Sequence, residues 1–195
     1  MPGVASQTAT QTDEVVGRRA IFLDRDGVLA VPEFRDGRSF AVRRLADFRL
    51  YDDAEASVRA LGAAGYLAIV VTNQPDIGNG LVPAAEVEAM HDAMRARLNL
   101  AAVEICPHAQ NAGCDCHKPK PGMLSRAASR LDIDLAASWM VGDRLGDIAA
   151  GRAAGSRTVF IDRGYEREAA AQADIAAVSL EDAVGRILSA PVRHR

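Results

Sequence analysis

Asp24 and Asp26, two aspartates two residues apart, end the apolar run Ile21-Phe22-Leu23 and are followed at once by Gly27. In an extended chain, residues i and i+2 point the same way. Both carboxylates can therefore face one reaction centre, one as a nucleophile and the other as a general acid and base. Gly27 permits the turn that a Cβ would obstruct. Taken alone, the run is equally well explained as a polar strand end leading into a turn. Three further stretches, in chain order, favour chemistry. Tyr66 to Gln74 is a second apolar run, and its end carries Thr72, Asn73 and Gln74, which can donate hydrogen bonds to a phosphoryl oxygen. Lys118 stands in His117-Lys118-Pro119-Lys120-Pro121-Gly122. Trp139 to Gly142 is a short apolar run ending in Asp143, with Arg144 next and a further acid, Asp147, four residues beyond Asp143.

The elements that must position these groups follow from the pattern between them. Apolar strands alternate with amphipathic helical stretches, which is how a parallel sheet covered by helices reads. Strands are expected at 19–24, 66–72, 102–106, 138–142 and 157–161, and helices near 53–64, 84–98, 121–131, 145–154 and 180–189. Ser179, with Asp182 three residues on, caps the last helix, and Pro83 and Pro121 sit where helices begin. In an open α/β sheet, ligands bind beyond the carboxyl ends of the strands, where Asp24, Thr72 and Asp143 all fall. Segment 31–47 has little regular pattern and is expected to arch over the site as a substrate loop.

All three cysteines occur within eleven residues, Cys106 to Cys116, with His108 among them and Cys114 between. Ordinary buried thiols, or a disulfide with one spare thiol, would also account for them. Three thiols and an imidazole this close fit four tetrahedral zinc ligands better. Such a Cys₃His site is closed to substrate, so its metal is structural and pins a loop too short and polar to fold alone. Reduced thiolates imply a reducing, cytoplasmic setting.

Composition fits one compact enzyme domain: 195 residues, 49% hydrophobic, net charge −3. No apolar run is long enough to span a bilayer, and the scattered arginines offer no basic face for nucleic acid. Residues 1–17 read as a flexible polar tail, and 18–195 as the single domain containing the zinc loop 106–116. A receiver domain also gathers Asp, Thr and Lys on a parallel sheet, but would need neither Asp26 nor the cysteine loop. A zinc-stabilised binding module that has lost catalysis is the non-enzyme alternative, and a magnesium-dependent turnover assay separates it.

Over about residues 18 to 190, the four stretches resemble, in order, the motifs of the haloacid dehalogenase superfamily. That resemblance implies a capless, three-layer Rossmann-like α/β fold and phosphomonoester hydrolysis through an aspartyl-phosphate. Asp24 would be the nucleophile and Asp26 the general acid and base. Thr72 would bind the transferring group, and Lys118 would neutralise charge on nucleophile and phosphate. Magnesium would be held by Asp24, Asp143 and the backbone carbonyl of Asp26, with Asp147 in support. Arg25, Asn73, Gln74, His117 and Arg144 are the remaining candidates to bind substrate. A cysteine loop directly before the motif lysine resembles the branch of heptose-bisphosphate and histidinol-phosphate phosphatases, whose substrates are small phosphorylated metabolites. Stretches 22–27, 118–124 and 141–147 look more like the heptose enzymes, whereas the five-residue gap from His108 to Cys114 looks more like the histidinol-phosphate branch. Both usually carry arginine where this chain has His117. The compact, capless form implies a monomer.

Overall fold

The computed structural model describes residues 17–35 and 38–191. Six parallel strands form one sheet in the order β5-β4-β1-β6-β7-β8. They are β1 (Ala20–Leu23), β4 (Leu67–Asn73), β5 (Ala102–Cys106), β6 (Trp139–Gly142), β7 (Arg157–Ile161) and β8 (Ile175–Ala177). The chain leaves β1 for one side of the sheet, then returns to the other side at β6. β1 therefore borders both halves, and its carboxyl end is where the crevice of such a sheet opens.

Alternation along each strand divides the core. Ile21, Leu23, Val70 and Val141 face one layer, built from α1 (Ala54–Ala63), α6 (Leu180–Ser189) and the end of α3 (Ala84–Arg95). Ala20, Phe22, Ile69, Val71 and Met140 face the other, against α4 (Gly122–Leu131) and α5 (Leu145–Ala154). Both faces are apolar because helices cover both, so the strands read as continuous hydrophobic runs. Each fully buried aliphatic side chain stabilises the fold by roughly 1.5–3 kcal/mol. As expected, the Ser179 side chain accepts from the Asp182 N–H at the start of α6.

Three local expectations are corrected. Segment 31–47 contains an antiparallel hairpin, β2 (Glu33–Arg35) with β3 (Arg38–Phe40), where an irregular loop was expected. A four-residue helix, α2 (Pro75–Gly78), follows β4, and β8 adds a sixth strand. Neither is long enough to show a period. The tail expected over 1–17 lies, apart from Gly17, outside the described residues. Among those described, no helix is long and apolar enough to cross a membrane.

Candidate active site

At the end of β1 the Asp24 N–H donates to Val141 O at 3.0 Å, which fixes Asp24 at the carboxyl edge of the central strands. Gly27 turns the chain away with φ +94, and a Cβ there would overlap the Asp143 carboxylate and the Tyr165 hydroxyl. Asp24 Oδ1 accepts from Lys118 Nζ and from the Arg25 N–H, both at 2.8 Å. Its Oδ2 has no protein donor among the described residues. Lys118, 6% exposed, also contacts Asp147 Oδ1 at 2.6 Å and donates to Val71 O at 2.8 Å. Asn73 anchors the lysine's backbone in both directions: Nδ2 donates to Lys118 O and Oδ1 accepts from Lys118 N, each at 3.1 Å.

Asp143 leaves β6 with Asp147 folded back over it. Asp147 Oδ2 accepts from the N–H groups of Asp143 at 3.2 Å and Arg144 at 3.0 Å, closing the first turn of α5. Gly142 is required here, because its Cβ would overlap the Asp147 side chain. With Oδ1 on Lys118 and Oδ2 on the backbone, Asp147 is committed to holding the lysine. Asp24, Asp143 and Asp147 bring ligand atoms within 4.8 Å of one another.

This cluster is short of positive charge. Burial, and then the neighbouring carboxylates of Asp24 and Asp147, push the Asp143 carboxyl well above its ordinary range. Burial raises Asp147 to about 6, opposed by Lys118. Burial works against the ammonium of Lys118, but Asp147 and Asp24 outweigh it and hold it charged. Asp143 Oδ1 is buried with no hydrogen-bond partner among the described residues. Three carboxylates, one ammonium and an orphaned oxygen suit a hard divalent cation with oxygen ligands. Tyr165 hydrogen-bonds to Asp143 Oδ2 through its hydroxyl. Burial, and then the Asp143 charge, raise the phenol, so it stays a donor at neutral pH.

Asp26 lies beside Asp24 on a cleft of about 1040 Å³. Its carboxylate accepts from Gln74 Nε2 at 2.9 Å and from two guanidinium nitrogens of Arg25 at 3.1 and 3.2 Å. Thr72 Oγ1 accepts from the same Gln74 amide at 2.9 Å, so its own O–H remains available to an oxyanion.

The residues expected to bind substrate fall in different places. Arg25 is fully buried and Gln74 is 2% exposed, so both hold Asp26 rather than face the cleft. Asn73 lines the cleft, but its amide serves Lys118. His117 lines it too, with Nδ1 3.5 Å from Cys106 Sγ. Burial, and then Lys118, lower its pKa. Arg144 lines the cleft while donating to Ser39 O at 2.8 Å, to Ser39 Oγ and to Glu166 at 3.3 Å, which ties the hairpin down. Sequence reasoning missed Tyr165, which sits in a stretch without pattern. It also missed Ser39, which lies on the cleft wall with Arg43 and Asp76, themselves paired at 2.7 Å.

The cysteine loop borders the cleft through Gln110. The ligand atoms of Cys106, His108, Cys114 and Cys116 all lie within 4.8 Å of one another. Cys106 Sγ is 3.6 Å from Cys114 Sγ and 3.7 Å from His108 Nδ1, and Cys116 Sγ is 3.3 Å from His108 Nδ1. A tetrahedral zinc with ordinary bond lengths has S to S edges of about 3.8 Å and S to N edges of about 3.5 Å. The donor set fits that metal, and no disulfide forms.

Comparison with known proteins agrees with this geometry. A HAD-hydrolase-like family model matches residues 115–183. The D-glycero-beta-D-manno-heptose-1,7-bisphosphate 7-phosphatase of Pseudomonas putida is 36% identical over 151 residues, 75% of this chain and 83% of that protein. The enzyme of the same name from Haemophilus ducreyi is 33% identical over 184 residues, 87% of this chain and 98% of its own length. Among solved structures, the D,D-heptose 1,7-bisphosphate phosphatase of B. bronchiseptica, complexed with magnesium and phosphate, superposes with TM-score 0.76 at 30% identity, covering 87% of this chain and 98% of that one. With relatives matched over most of their length, the chain belongs to the haloacid dehalogenase-like phosphatases, in the branch that holds the heptose-bisphosphate enzymes.

Proposed function

We propose that the substrate is D-glycero-D-manno-heptose 1,7-bisphosphate, that the 7-phosphate is removed, and that Asp24 is the nucleophile. One observation carries the mechanism. Asp24 is clamped through Oδ1 by Lys118 and a backbone N–H, so Oδ2 is left for attack. A new bond from Oδ2 to phosphorus forms as the bond to the sugar oxygen breaks, and Asp26 gives its proton to that oxygen. In the second step Asp26 takes a proton from water, which attacks phosphorus and releases Asp24 and inorganic phosphate. Lys118, and Thr72 through its O–H, offset charge on the phosphoryl oxygens.

Asp24, Asp143 and the Asp26 carbonyl would hold magnesium, with Asp147 fixing the lysine between them. Magnesium would supply charge compensation that allows a carboxylate to approach a phosphate dianion. Cys106, His108, Cys114 and Cys116 would hold structural zinc. The substrate assignment is supported by the names of the relatives. The five-residue gap between His108 and Cys114 favours histidinol phosphate as the second reading.

Phosphate release with magnesium, compared as kcat/KM on the two substrates, decides between them. A preference for the heptose of about a hundredfold corresponds to roughly 2.7 kcal/mol of transition-state discrimination. The reverse preference, or poor turnover of both, rejects the assignment.

A further inference from the structure

Behind the reaction centre, a line of polar side chains runs from Asp26 away from the cleft and ends on α3. Its first member is Arg25, whose guanidinium is fully buried. One edge of that guanidinium holds the Asp26 carboxylate through Nε and Nη2. The other edge, Nη1, lies 3.2 Å from Nε2 of His91, itself 1% exposed. Arginine can only donate, so His91 Nε2 must be the acceptor and the ring proton must sit on Nδ1. Nδ1 is 3.5 Å from Glu88 Oε2, one turn earlier on α3. Burial, and then the Arg25 charge, lower the His91 pKa to about 4, against smaller opposing effects of Glu88. The ring is therefore neutral in the working range.

A core gains little from such an arrangement, because an apolar residue opposite an apolar partner would fill the same space without buried donors. What the arrangement supplies is orientation. With only its Asp26 edge engaged, a guanidinium can pivot about its own stem, and the carboxylate it grips can move with it. His91 closes the opposite edge.

We propose that His91 is a positioning residue for the acid step: it fixes Arg25, and Arg25 with Gln74 fixes the Asp26 carboxyl for proton delivery to the leaving oxygen. This rests on the assignment of Asp26 as general acid. The catalytic groups themselves are untouched by His91, so its loss should not alter attack by Asp24.

Leaving groups separate these roles. A sugar alkoxide needs the proton from Asp26, whereas p-nitrophenolate departs without one, and kcat/KM covers only the steps through that bond cleavage. His91→Phe keeps the ring volume but offers Arg25 no acceptor. It should lower kcat/KM for heptose 1,7-bisphosphate by roughly tenfold to a hundredfold, and that for p-nitrophenyl phosphate by less than about twofold. His91→Gln restores an acceptor at similar reach and should recover most of the loss. If His91→Phe does not fold, His91→Met is read in the same way. If wild-type protein leaves the heptose intact, the proposed substrate fails and β-glycerophosphate takes its place.

An equal fall on both substrates, no fall, or a Gln variant as poor as Phe would overturn the role of His91. Asp26→Asn is measured alongside. If its loss is selective for the alkoxide substrate and that of His91→Phe is not, only the inference about His91 falls. If Asp26→Asn is unselective, the acid assignment and the inference fail together.

Discussion

The two polar clusters on this molecule are built in opposite ways. The thiol cluster draws four ligands from eleven consecutive residues, and their spacings already match the edges of one tetrahedral metal. Once a metal is bound, each ligand is satisfied and nothing is left to react. The acidic cluster gathers Asp24 and Asp143 from strand ends, Asp147 from the first turn of α5 and Lys118, whose ammonium contacts Asp24 and Asp147, and leaves an Asp143 oxygen with no partner among the described residues. A metal held by the first would lower the free energy of its loop. The second stores electrostatic strain in a rigid frame, and a group arriving with compensating charge relieves it. Charge left unbalanced on well-anchored backbone separates the acidic cluster from the thiol cluster here.

Asp24→Asn should separate the two clusters most widely. Removing the nucleophile should lower turnover by on the order of 10⁴-fold or more. Stability should hold or rise, because an amide oxygen still accepts from Lys118 and one repelling charge has gone. A melting temperature that fell with activity would show that Asp24 is structural. The thiol cluster predicts the converse. Cys106→Ser, or stripping the metal with a chelator, should cost about 5 kcal/mol or more, roughly 10 to 20 °C in Tm. Zinc, and not magnesium, should restore the chelated protein. Metal analysis giving well under one zinc per chain would remove the distinction.

The comparison also explains what could be read from the sequence. Cys106 to Cys116 was legible because its ligands are local and spacing alone limits the geometry. Asp24, Asp26, Lys118 and Asp143 were legible because each ends an apolar run or stands in a distinctive stretch, and a parallel sheet brings strand ends together whatever their separation. Side-chain direction was not legible. Arg25 and Gln74 border Asp24, Asp26 and Thr72 in sequence, yet both turn inward to grip Asp26, and no periodicity distinguishes that from facing a substrate. His91 reads as one more residue on the buried face of an amphipathic helix. Tyr165 reaches Asp143 from a stretch that carries no pattern at all. The hairpin was obscured by strands of three residues with charged ends, although the intervening Asp36-Gly37, outside the described residues, is itself a hairpin signal.

The smallest expected effect belongs to the acidic cluster alone and needs no turnover to be seen. A carboxyl whose pKa is raised on folding binds its proton more tightly in the native than in the unfolded state. That contribution to stability is therefore present at low pH and lost as pH rises through the folded value. For Asp147 the window runs from the ordinary 3.8 to about 6, and Asp143 extends it upward. Magnesium needs carboxylates ionised, so it offsets a penalty that is more developed at pH 7.5 than at pH 5.5. With the thiol cluster kept loaded with zinc, saturating magnesium should raise Tm by several degrees more at pH 7.5 than at pH 5.5, a difference on the order of 1–3 kcal/mol. Asp143→Asn removes both the orphaned ligand and the repulsion, so its metal-free form should melt higher than wild type at pH 7.5 and respond little to magnesium at either pH. A magnesium response independent of pH in the wild-type protein would mean that the ion is held elsewhere, and that the three carboxylates are balanced by the lysine alone.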